Sequence, residues 1–309
     1  MRRLVIALLC VSLATLTGTV PASASAGAGH HKPGGVFPTL KRDLVAYYDF
    51  DHPASGGAVE RDQGRSHTNI NMINGAPRVR DRFGRALQTG QVSDTLSNDD
   101  WKAGVYSATG VPSLKAYNSA REATVMGWFK LTGVNPSPNT QTANPTDFYG
   151  AMGLAGVLTG DSDGHAVRAL LEVFVVNGEM RVVALGRRVD GSASQTFAAN
   201  MPWQQVLPQN EWVFLAATFN FDTGDMVLYR DAKPLDGFYA TAGDPWALAG
   251  DPEPDLTSAT DPRGIKIGGS FPQNTQERNP CNCRMDELMF YDRVLTPKEI
   301  QLQYRWARR

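Results

Sequence analysis

The sequence has little of three features that would assign it to a familiar structural class. It contains 3 cysteines among 309 residues, too few for a disulfide-dense scaffold. Its 30 Lys and Arg residues balance 31 Asp and Glu residues, so a formal net charge of −1 supplies no attraction for nucleic acid. Its content of hydrophobic residues (42%) and charged residues (20%) excludes a disordered chain. We therefore expect a packed core, with a chain long enough for one large domain.

A long apolar run occurs only near the start of the chain. Two arginines precede LVIALLCVSLATL, and small residues follow up to Ala24-Ser25-Ala26. This order is typical of a secretory signal peptide, residues 1–26, and the run is too short for an ordinary transmembrane helix. We predict a secreted, extracellular protein without a membrane span. Loss of this segment would remove two arginines and one cysteine, leaving Cys281 and Cys283.

The rest of the chain divides into a short lead-in and one domain. Residues 27–42 are rich in glycine and proline and show no helical or strand periodicity, which predicts a flexible N-terminal lead-in. From residue 43 to residue 309 no internal repeat and no linker-like segment interrupts the sequence. We expect a single domain there.

Residues 43–309 have the pattern of an all-β domain. Apolar segments alternate with polar turns, and Asn177-Gly178 and Asp222-Thr223-Gly224 are typical hairpin turns. One short helix is predicted near the end, where Thr296 and Glu299 have the spacing of a capping box. Many strands with one helix predict a β-sandwich or jelly roll. The predicted strands are 44–50, 123–131, 169–176, 179–185, 212–221, 225–233, 264–270 and 284–292.

The order of these segments resembles that of LamG-like (laminin G / concanavalin A-like) jelly-roll domains of secreted bacterial proteins. LVAYYDFD at 44–51 is similar to the first strand of that family, and RMDELMFYDRVLTPKEIQLQY at 284–304 is similar to its ending. The resemblance runs from about residue 43 to residue 305 and implies a concanavalin A-like jelly-roll β-sandwich with a short C-terminal helix. Two stretches depart from it: GRSHT replaces a Gly/Asn-rich turn, and residues 133–165 look like a polar, loop-rich insertion.

The resemblance also implies a structural calcium ion near the chain ends. Many relatives hold one, and the similarity places its oxygen ligands at Asp51, Asp62, Asn69 and Asp286. Carboxylate and amide oxygens are ligands that Ca²⁺ prefers. The alternative is that these residues only stabilise turns through hydrogen bonds to nearby backbone groups.

The acidic residues do not form a recognisable catalytic pattern. Jelly-roll glucanases carry Glu-x-Asp-x-x-Glu along one strand, whereas Glu60-Arg61-Asp62 and Glu253-Pro254-Asp255 lack the third acid. Asp286 and Glu287 are adjacent, so on a regular strand they would face opposite sides. We predict no catalytic residue.

Aromatic residues in polar segments are candidates for stacking on sugar rings. Trp101, Trp203 and Trp246 lie in polar, proline- or glycine-containing segments, whereas Trp128 and Trp212 lie in apolar strands and are expected in the core. The alternative is that the three loop tryptophans fill gaps beneath long loops.

The two remaining cysteines are separated by a single residue. Export into an oxidising environment favours a disulfide between Cys281 and Cys283. Two free thiols, or cross-links to another chain, are the alternatives.

Together these features predict a secreted, non-catalytic binding module. Its expected partner is a glycan or an extracellular matrix or cell-surface component, not nucleic acid, and its expected cofactor is a structural calcium ion. A polysaccharide-active enzyme (glycoside hydrolase or lyase) on the same jelly-roll fold is one alternative. A structural or adhesive protein-interaction domain is the other.

Overall fold

Two antiparallel β-sheets account for most of the described chain. All of the described residues belong to one unit, Lys32–Arg309, and the predicted signal peptide lies outside them. The computed structural model describes residues 34–54, 56–73, 75–90, 102–133, 135, 152–158, 167–187, 194–240, 261–269 and 281–308.

The helices are α1 (Trp203–Val206) and α2 (Pro297–Ala307), and two 3₁₀ helices span Pro38–Asp43 and Pro112–Asn118. The strands are β1 (Leu44–Tyr48), β2 (Val59–Glu60), β3 (Ile70–Met72), β4 (Arg78–Asp81), β5 (Gly84–Gln88), β6 (Ala103–Tyr106), β7 (Glu122–Leu131), β8 (Met152–Leu158), β9 (Val167–Val176), β10 (Glu179–Arg187), β11 (Ser194–Ala199), β12 (Val213–Asn220), β13 (Met226–Arg230), β14 (Lys233–Pro234), β15 (Gly237–Tyr239), β16 (Gly264–Ile267) and β17 (Cys283–Tyr291).

The strands of the described chain form sheets of eight and nine strands. The first has the order β14-β13-β12-β7-β17-β5-β4, with β1 also paired to β17, and the second has the order β15-β11-β10-β9-β8-β16-β6-β3-β2. Asn177 and Gly178 join β9 to β10 with φ angles of 53° and 82°, which this two-residue turn requires. The predicted all-β sandwich with a short C-terminal helix is confirmed.

Strands β7 and β12 are buried along nearly their whole length, which explains why they read as continuous apolar runs. One face of these strands, including Val125 and Leu215, contributes to the main core. The other face carries Trp128 and Phe214 and packs against α2, where the ring centroid of Tyr304 lies 5.7 Å from both of their ring centroids. The helix therefore covers the outer face of the eight-stranded sheet.

Helix α2 begins with the predicted capping box. The Glu299 N–H donates to Thr296 Oγ1 at 3.3 Å, and the Thr296 N–H donates to Glu299 Oε2 at 2.8 Å. Arg293 pairs with Glu299 at 2.8 Å and with Asp43 at 3.0 Å. The hydrogen bond from Arg293 is the main reason that the pKa of Glu299 falls to about 2.

The segment before β1 corrects one expectation. Residues 34–42 belong to the predicted flexible lead-in, yet Val36 is only 4% exposed. The Phe37 N–H donates to Gln303 Oε1 at 2.7 Å, and the Gln303 side chain donates to the Gly35 carbonyl at 2.8 Å. The apolar residues of this segment cover one side of α2, a role that its glycine and proline content concealed.

A second correction concerns residues 133–165, expected to be a polar insertion. Strand β8 lies within this stretch, is buried at every position, and pairs with β9 and β16. A short strand buried on both faces has no polar alternation, so its small apolar residues gave no strand signal. Of this stretch the structure describes residues 133, 135 and 152–158.

Candidate functional sites

A gap in strand pairing creates the first candidate site. On the side of β17 away from β7, Arg284 and Met285 pair with β5, whereas Leu288 and the residues after it pair with β1. Asp286 and Glu287 lie between the ends of these two neighbouring strands. Their backbone has no ladder partner on that side.

The chain forms a β-bulge at this gap. Glu287 has a φ of 54°, and the register against β7 shifts between Asp286 and Met289. On β7, a Cβ at Gly127 would come within 2.5 Å of the Leu288 side chain, so glycine makes room for the bulge. On a regular strand Asp286 and Glu287 would face opposite sides of the sheet. The bulge interrupts that alternation, so this expectation does not apply here.

Asp286 is a buried carboxyl group with one oxygen that lacks a partner. It is 1% exposed, and its Oδ1 accepts a hydrogen bond from the Glu287 N–H at 2.8 Å. Its Oδ2 is buried and accepts no hydrogen bond from the described residues. Burial, and then the charges of Glu287, Asp49 and Asp51, raise the pKa of Asp286 well above its usual value. This environment disfavours the ionised carboxylate. Asp286 therefore favours either the protonated form or a cation close to its carboxylate.

The neighbouring acidic groups come from the end of β1. Asp49 Oδ1 accepts a hydrogen bond from the Asp51 N–H at 3.1 Å and lies 2.8 Å from Nδ1 of His52. Asp51 Oδ1 accepts from the Arg85 N–H at 3.1 Å. At Gly84 a Cβ would overlap the Asp51 carboxylate, so β5 begins with a glycine where this side chain lies.

Two hydrogen-bond donors of the described residues hold Glu287 in place. One is the Gly35 N–H at 2.6 Å, and the other is the Tyr47 hydroxyl group. Burial, and then the charge of Glu287, raises the pKa of Tyr47 well above its usual value. We name Asp49, Asp51, Asp286 and Glu287 the acidic cluster.

The predicted calcium ligands fall into two sets of contacts. Asp51 and Asp286 belong to the acidic cluster, and their charges interact. Asp62 and Asn69 bond to each other, since the Asp62 N–H donates to Asn69 Oδ1 at 3.1 Å. The structure therefore brings together two of the four residues at the acidic cluster.

Both carboxylate oxygens of Asp62 already accept hydrogen bonds. Oδ1 accepts from the N–H groups of Tyr47 at 2.8 Å and Gly64 at 2.6 Å. Oδ2 accepts from the Thr68 N–H at 2.8 Å and the Ser66 hydroxyl at 2.6 Å. These contacts fit the turn-stabilising alternative for Asp62, and its role as a calcium ligand stays a prediction.

Sequence reasoning missed a further acidic residue beside this cluster. Ligand atoms of Asp49, His52 and Glu60 lie within 4.8 Å of one another. Glu60 is fully buried, pairs with Arg78 at 2.7 Å, and accepts from the His52 N–H at 3.0 Å. Burial raises the pKa of Glu60 although Arg78 opposes the shift. No local pattern indicated this neighbourhood, because Asp49 follows the end of β1 and Glu60 reaches it from β2.

The second candidate site is a cavity beside Trp203. This residue forms part of α1 and of the main core and is 9% exposed, so it packs more deeply than a loop residue would. A cavity of about 420 Å³ lies between α1, the start of β10 and the residues after β11. Its lining includes Glu179, Arg181, Asn200 and Gln204 in addition to Trp203.

Polar groups in this cavity are held in place. Arg181 Nη1 donates to the carbonyls of Ala199 at 3.0 Å and Asn200 at 3.1 Å, while Nη2 bonds to Glu179 at 2.5 Å. Asn200 and Gln204 are exposed. The cavity lining thus combines a largely buried tryptophan with fixed charged groups and accessible amides.

The other predicted tryptophans have different outcomes. Trp101 and Trp246 lie outside the described residues, so their stacking role stays a prediction. Trp128 is 2% exposed, as expected for the core. Trp212 is partly exposed and its indole N–H donates to Asp81 Oδ1 at 2.9 Å.

Cys281 and Cys283 lie at the start of β17. Both are fully buried, and their Cα atoms are 5.3 Å apart, within the range that disulfides span. The Thr89 N–H donates to the Cys283 carbonyl at 2.8 Å, which anchors this segment. The disulfide stays a prediction with which this spacing is compatible.

A family profile matches most of the chain. The profile is a laminin G type described as the concanavalin A-like lectin/glucanases superfamily, and it matches residues 103–301. The chain belongs to this superfamily. No curated protein is similar enough in sequence to count as a match.

Several solved structures share the fold of this laminin G-like chain. The binding domain of Paraclostridial Mosquitocidal Protein 1 has a TM-score of 0.52 and 14% identity, over 86% of this chain and 52% of that one. The binding domain of botulinum neurotoxin DC, solved with rat synaptotagmin II, has a TM-score of 0.52 and 10% identity, over 86% and 52% of the chains. A Trypanosoma rangeli sialidase has a TM-score of 0.50 and 15% identity, over 93% and 35%.

These similarities establish the fold and no finer property. The laminin G-like chain spans about half the length of the toxin chains and about a third of the sialidase chain. It shares its fold with the binding domains of two toxins and with part of a sialidase chain. Among the described residues, no helix is long and apolar enough to cross a bilayer.

Proposed function

We propose that this laminin G-like protein is a secreted, non-catalytic binding module that recognises a glycan in the cavity beside Trp203. The observation that carries the proposal is the composition of that cavity, whose lining includes a tryptophan, a carboxylate, a guanidinium group and two exposed amides. Sugars present apolar ring faces and many hydroxyl groups, and such a lining can satisfy both. A volume of about 420 Å³ is within the range of small-molecule sites.

The toxin structures support the binding role by analogy. Two of them are binding domains, and one of these was solved in complex with a protein, rat synaptotagmin II. The sialidase supports a glycan-related role by analogy. Binding to an extracellular matrix or cell-surface component that carries sugars follows from the same chemistry.

The test is a glycan array probed with the full chain, followed by calorimetry on each ligand retained. Gln204→Ala should weaken binding about tenfold, the usual effect of losing one well-placed hydrogen bond. Gln205→Ala is the matched control, because Gln205 is also exposed but does not line the cavity. Equal affinities for the two variants would contradict the proposal, as would an array with no retained glycan.

Two alternatives predict different results in the same assays. A polysaccharide-active enzyme would release reducing ends from a retained polysaccharide during prolonged incubation. A structural or adhesive domain would bind no glycan and would instead capture protein, or form reducible cross-links through Cys281 and Cys283. Recovery from culture medium of a chain beginning at residue 27 tests the secretion that the leader predicts.

A separate proposal assigns a structural calcium ion to the acidic cluster. The unpartnered Oδ2 of Asp286 supports it, because a buried carboxylate oxygen normally has a partner. The charges of Asp49, Asp51 and Glu287 act on Asp286, and a cation that takes carboxylate oxygens, such as Ca²⁺, would offset them. A bound Ca²⁺ would neutralise the repulsion among these groups and hold together the ends of β1, β5 and β17.

Thermal unfolding with calcium and with a chelator tests this assignment. Calcium at 100 times its Kd should add about 2.7 kcal/mol to the free energy of unfolding, provided that only the folded state binds. The same concentration of Mg²⁺ should add less, since Mg²⁺ dehydrates reluctantly. An identical melting temperature in calcium and in chelator would remove the assignment.

A further inference from the structure

The segment before β1 lies between helix α2 and the bulge of β17. On the helix side, the Gln303 side chain accepts from the Phe37 N–H and donates to the Gly35 carbonyl, so both ends of this fully buried amide group hold the segment. The Phe37 ring meets the Trp306 ring edge-on, with 5.6 Å between their centroids. We name residues 34–37 the N-terminal strap.

The other side of the N-terminal strap reaches the Glu287 carboxylate. The Gly35 N–H donates to Glu287 Oε2 at 2.6 Å, and a Cβ at Gly34 would overlap Oε1. The φ angles of Gly34 and Gly35 are 110° and 85°, in the left-handed region that favours glycine. The two glycines thus let the backbone of the strap approach both oxygens of one carboxylate.

Glu287 connects the N-terminal strap to the acidic cluster. Its Oε2 also accepts from the Tyr47 hydroxyl group, and its own N–H donates to Asp286 Oδ1 at 2.8 Å. After burial, the charge of Glu287 is the strongest influence that raises the pKa of Asp286. The position of the Glu287 carboxylate therefore affects the charge that a cation beside Asp286 would meet.

Covering α2 does not by itself explain the composition of the N-terminal strap. Apolar side chains such as Val36 and Phe37 would be enough to cover the helix. Glycine loses more conformational freedom on folding than any other residue, so a pair of glycines lowers stability unless a close approach requires them. The approach that Gly34 and Gly35 permit is to Glu287, a member of the acidic cluster.

We propose that the N-terminal strap and Gln303 are positioning residues for the cation site of the acidic cluster, and that they act through Glu287. This inference rests on the calcium assignment proposed above. Groups that orient the surroundings of a metal ion without touching it commonly change its affinity about 10–100-fold. By thermodynamic linkage, a strap that strengthens cation binding must itself be held more tightly once the cation is bound.

The experiment measures calcium binding to the full chain by titration calorimetry. Gln303→Leu removes both hydrogen bonds to the strap, and among the described residues Gln303 bonds to no member of the acidic cluster. This variant should lose about tenfold in calcium affinity. Gln301→Leu is the matched control, because it makes the same replacement at an exposed position of the same helix and should bind calcium like the parent protein.

A second measurement needs no substitution, so it applies even if Gln303→Leu fails to fold. Amide hydrogen exchange of the parent protein is followed in calcium and in chelator, in a peptide that covers residues 34–37. Calcium should slow exchange there more than in the hairpin of β9 and β10, which reports only the stability of the whole fold. A segment that only covers α2 would show no such difference.

Two results would overturn this inference and leave the calcium assignment in place. One is equal calcium affinity in the Gln303→Leu and Gln301→Leu variants. The other is an equal effect of calcium on exchange in the N-terminal strap and in the hairpin. A parent protein that binds no calcium would instead remove the calcium assignment, and this inference with it, so the two failures are distinguishable.

Discussion

Asp62 and Asp286 are both buried aspartates near Tyr47, but their surroundings differ. Asp62 accepts four hydrogen bonds from its own loop and from β1. Asp286 has one oxygen without a partner and lies among other carboxyl groups. The comparison teaches that burial alone does not distinguish a structural carboxylate from a candidate ligand. What distinguishes them is how many of their carboxylate oxygens already accept hydrogen bonds.

The largest effect is expected at Glu60, a third buried carboxylate whose partner is an arginine. Arg78→Ala should lower the free energy of unfolding by about 3–5 kcal/mol, because it leaves Glu60 buried without its counter-charge. Urea denaturation measures this change. Arg80→Ala, two residues along the same strand but exposed, should change stability by less than about 0.5 kcal/mol. Similar losses of unfolding free energy for the two variants would show that Arg78 does not stabilise the buried Glu60 carboxylate.

The next largest effect is expected at Asp62, the aspartate whose two carboxylate oxygens both accept hydrogen bonds. Asp62→Asn replaces one acceptor oxygen with an amide that cannot accept, so donors of the loop lose their partner. The free energy of unfolding should fall by about 2–3 kcal/mol, equally in calcium and in chelator. Asp236→Asn is the control, since Asp236 is exposed. A loss seen only with calcium present would instead make Asp62 a metal ligand.

Asp286→Asn should act in the opposite direction when metal is removed. Without a cation, the amide relieves the unfavourable burial of a charge, and the free energy of unfolding should rise by about 1 kcal/mol. The variant should also lose the stabilisation that calcium gives the parent protein. Chemical denaturation of both proteins in calcium and in chelator provides the four values needed. A variant that still gains stability from calcium would exclude Asp286 from the site.

The smallest effect concerns a carboxylate that is partly exposed and paired. Because Arg293 lowers the pKa of Glu299 from 4.5 to about 2, this group stabilises the fold at pH values above its unfolded pKa. The contribution should disappear as the pH falls through about 2. Glu299→Gln should therefore cost about 1 kcal/mol at neutral pH and nothing near pH 2. Stability curves of the two proteins that stay parallel at every pH would contradict this role.

The parts of the fold that the sequence predicts are those determined by residues close together in the chain. Asn177 and Gly178 define their hairpin by themselves, and Thr296 and Glu299 define the start of α2. The bulge at Glu287 depends on a glycine in β7, about half the chain away, and no local pattern indicates it. Trp203 looked like a loop residue because its sequence neighbours are polar, whereas its burial comes from distant strands.

The same distinction applies to the candidate sites. The resemblance to LamG-like domains indicated Asp51 and Asp286, because their sequence contexts at the two ends of the domain are distinctive. It could not show that Asp62 is saturated, since two of its donors belong to Tyr47 and Thr68 and depend on the folded loop. The segment RVRDRFGR is visibly rich in arginine, but only strand register shows that Arg80 and Arg85 lie directly opposite each other on β4 and β5.

The central position of β17 has a consequence for the timing of folding. This strand is synthesised after β1, β5 and β7, yet all three pair with it. A growing chain that has not reached residue 283 holds the eight-stranded sheet as three unconnected parts, namely β14-β13-β12-β7, β5-β4 and β1. Joining them requires contacts between the two ends of the domain, which are slow to form because a very long loop must close. Completion of the eight-stranded sheet is thereby tied to the synthesis of β17.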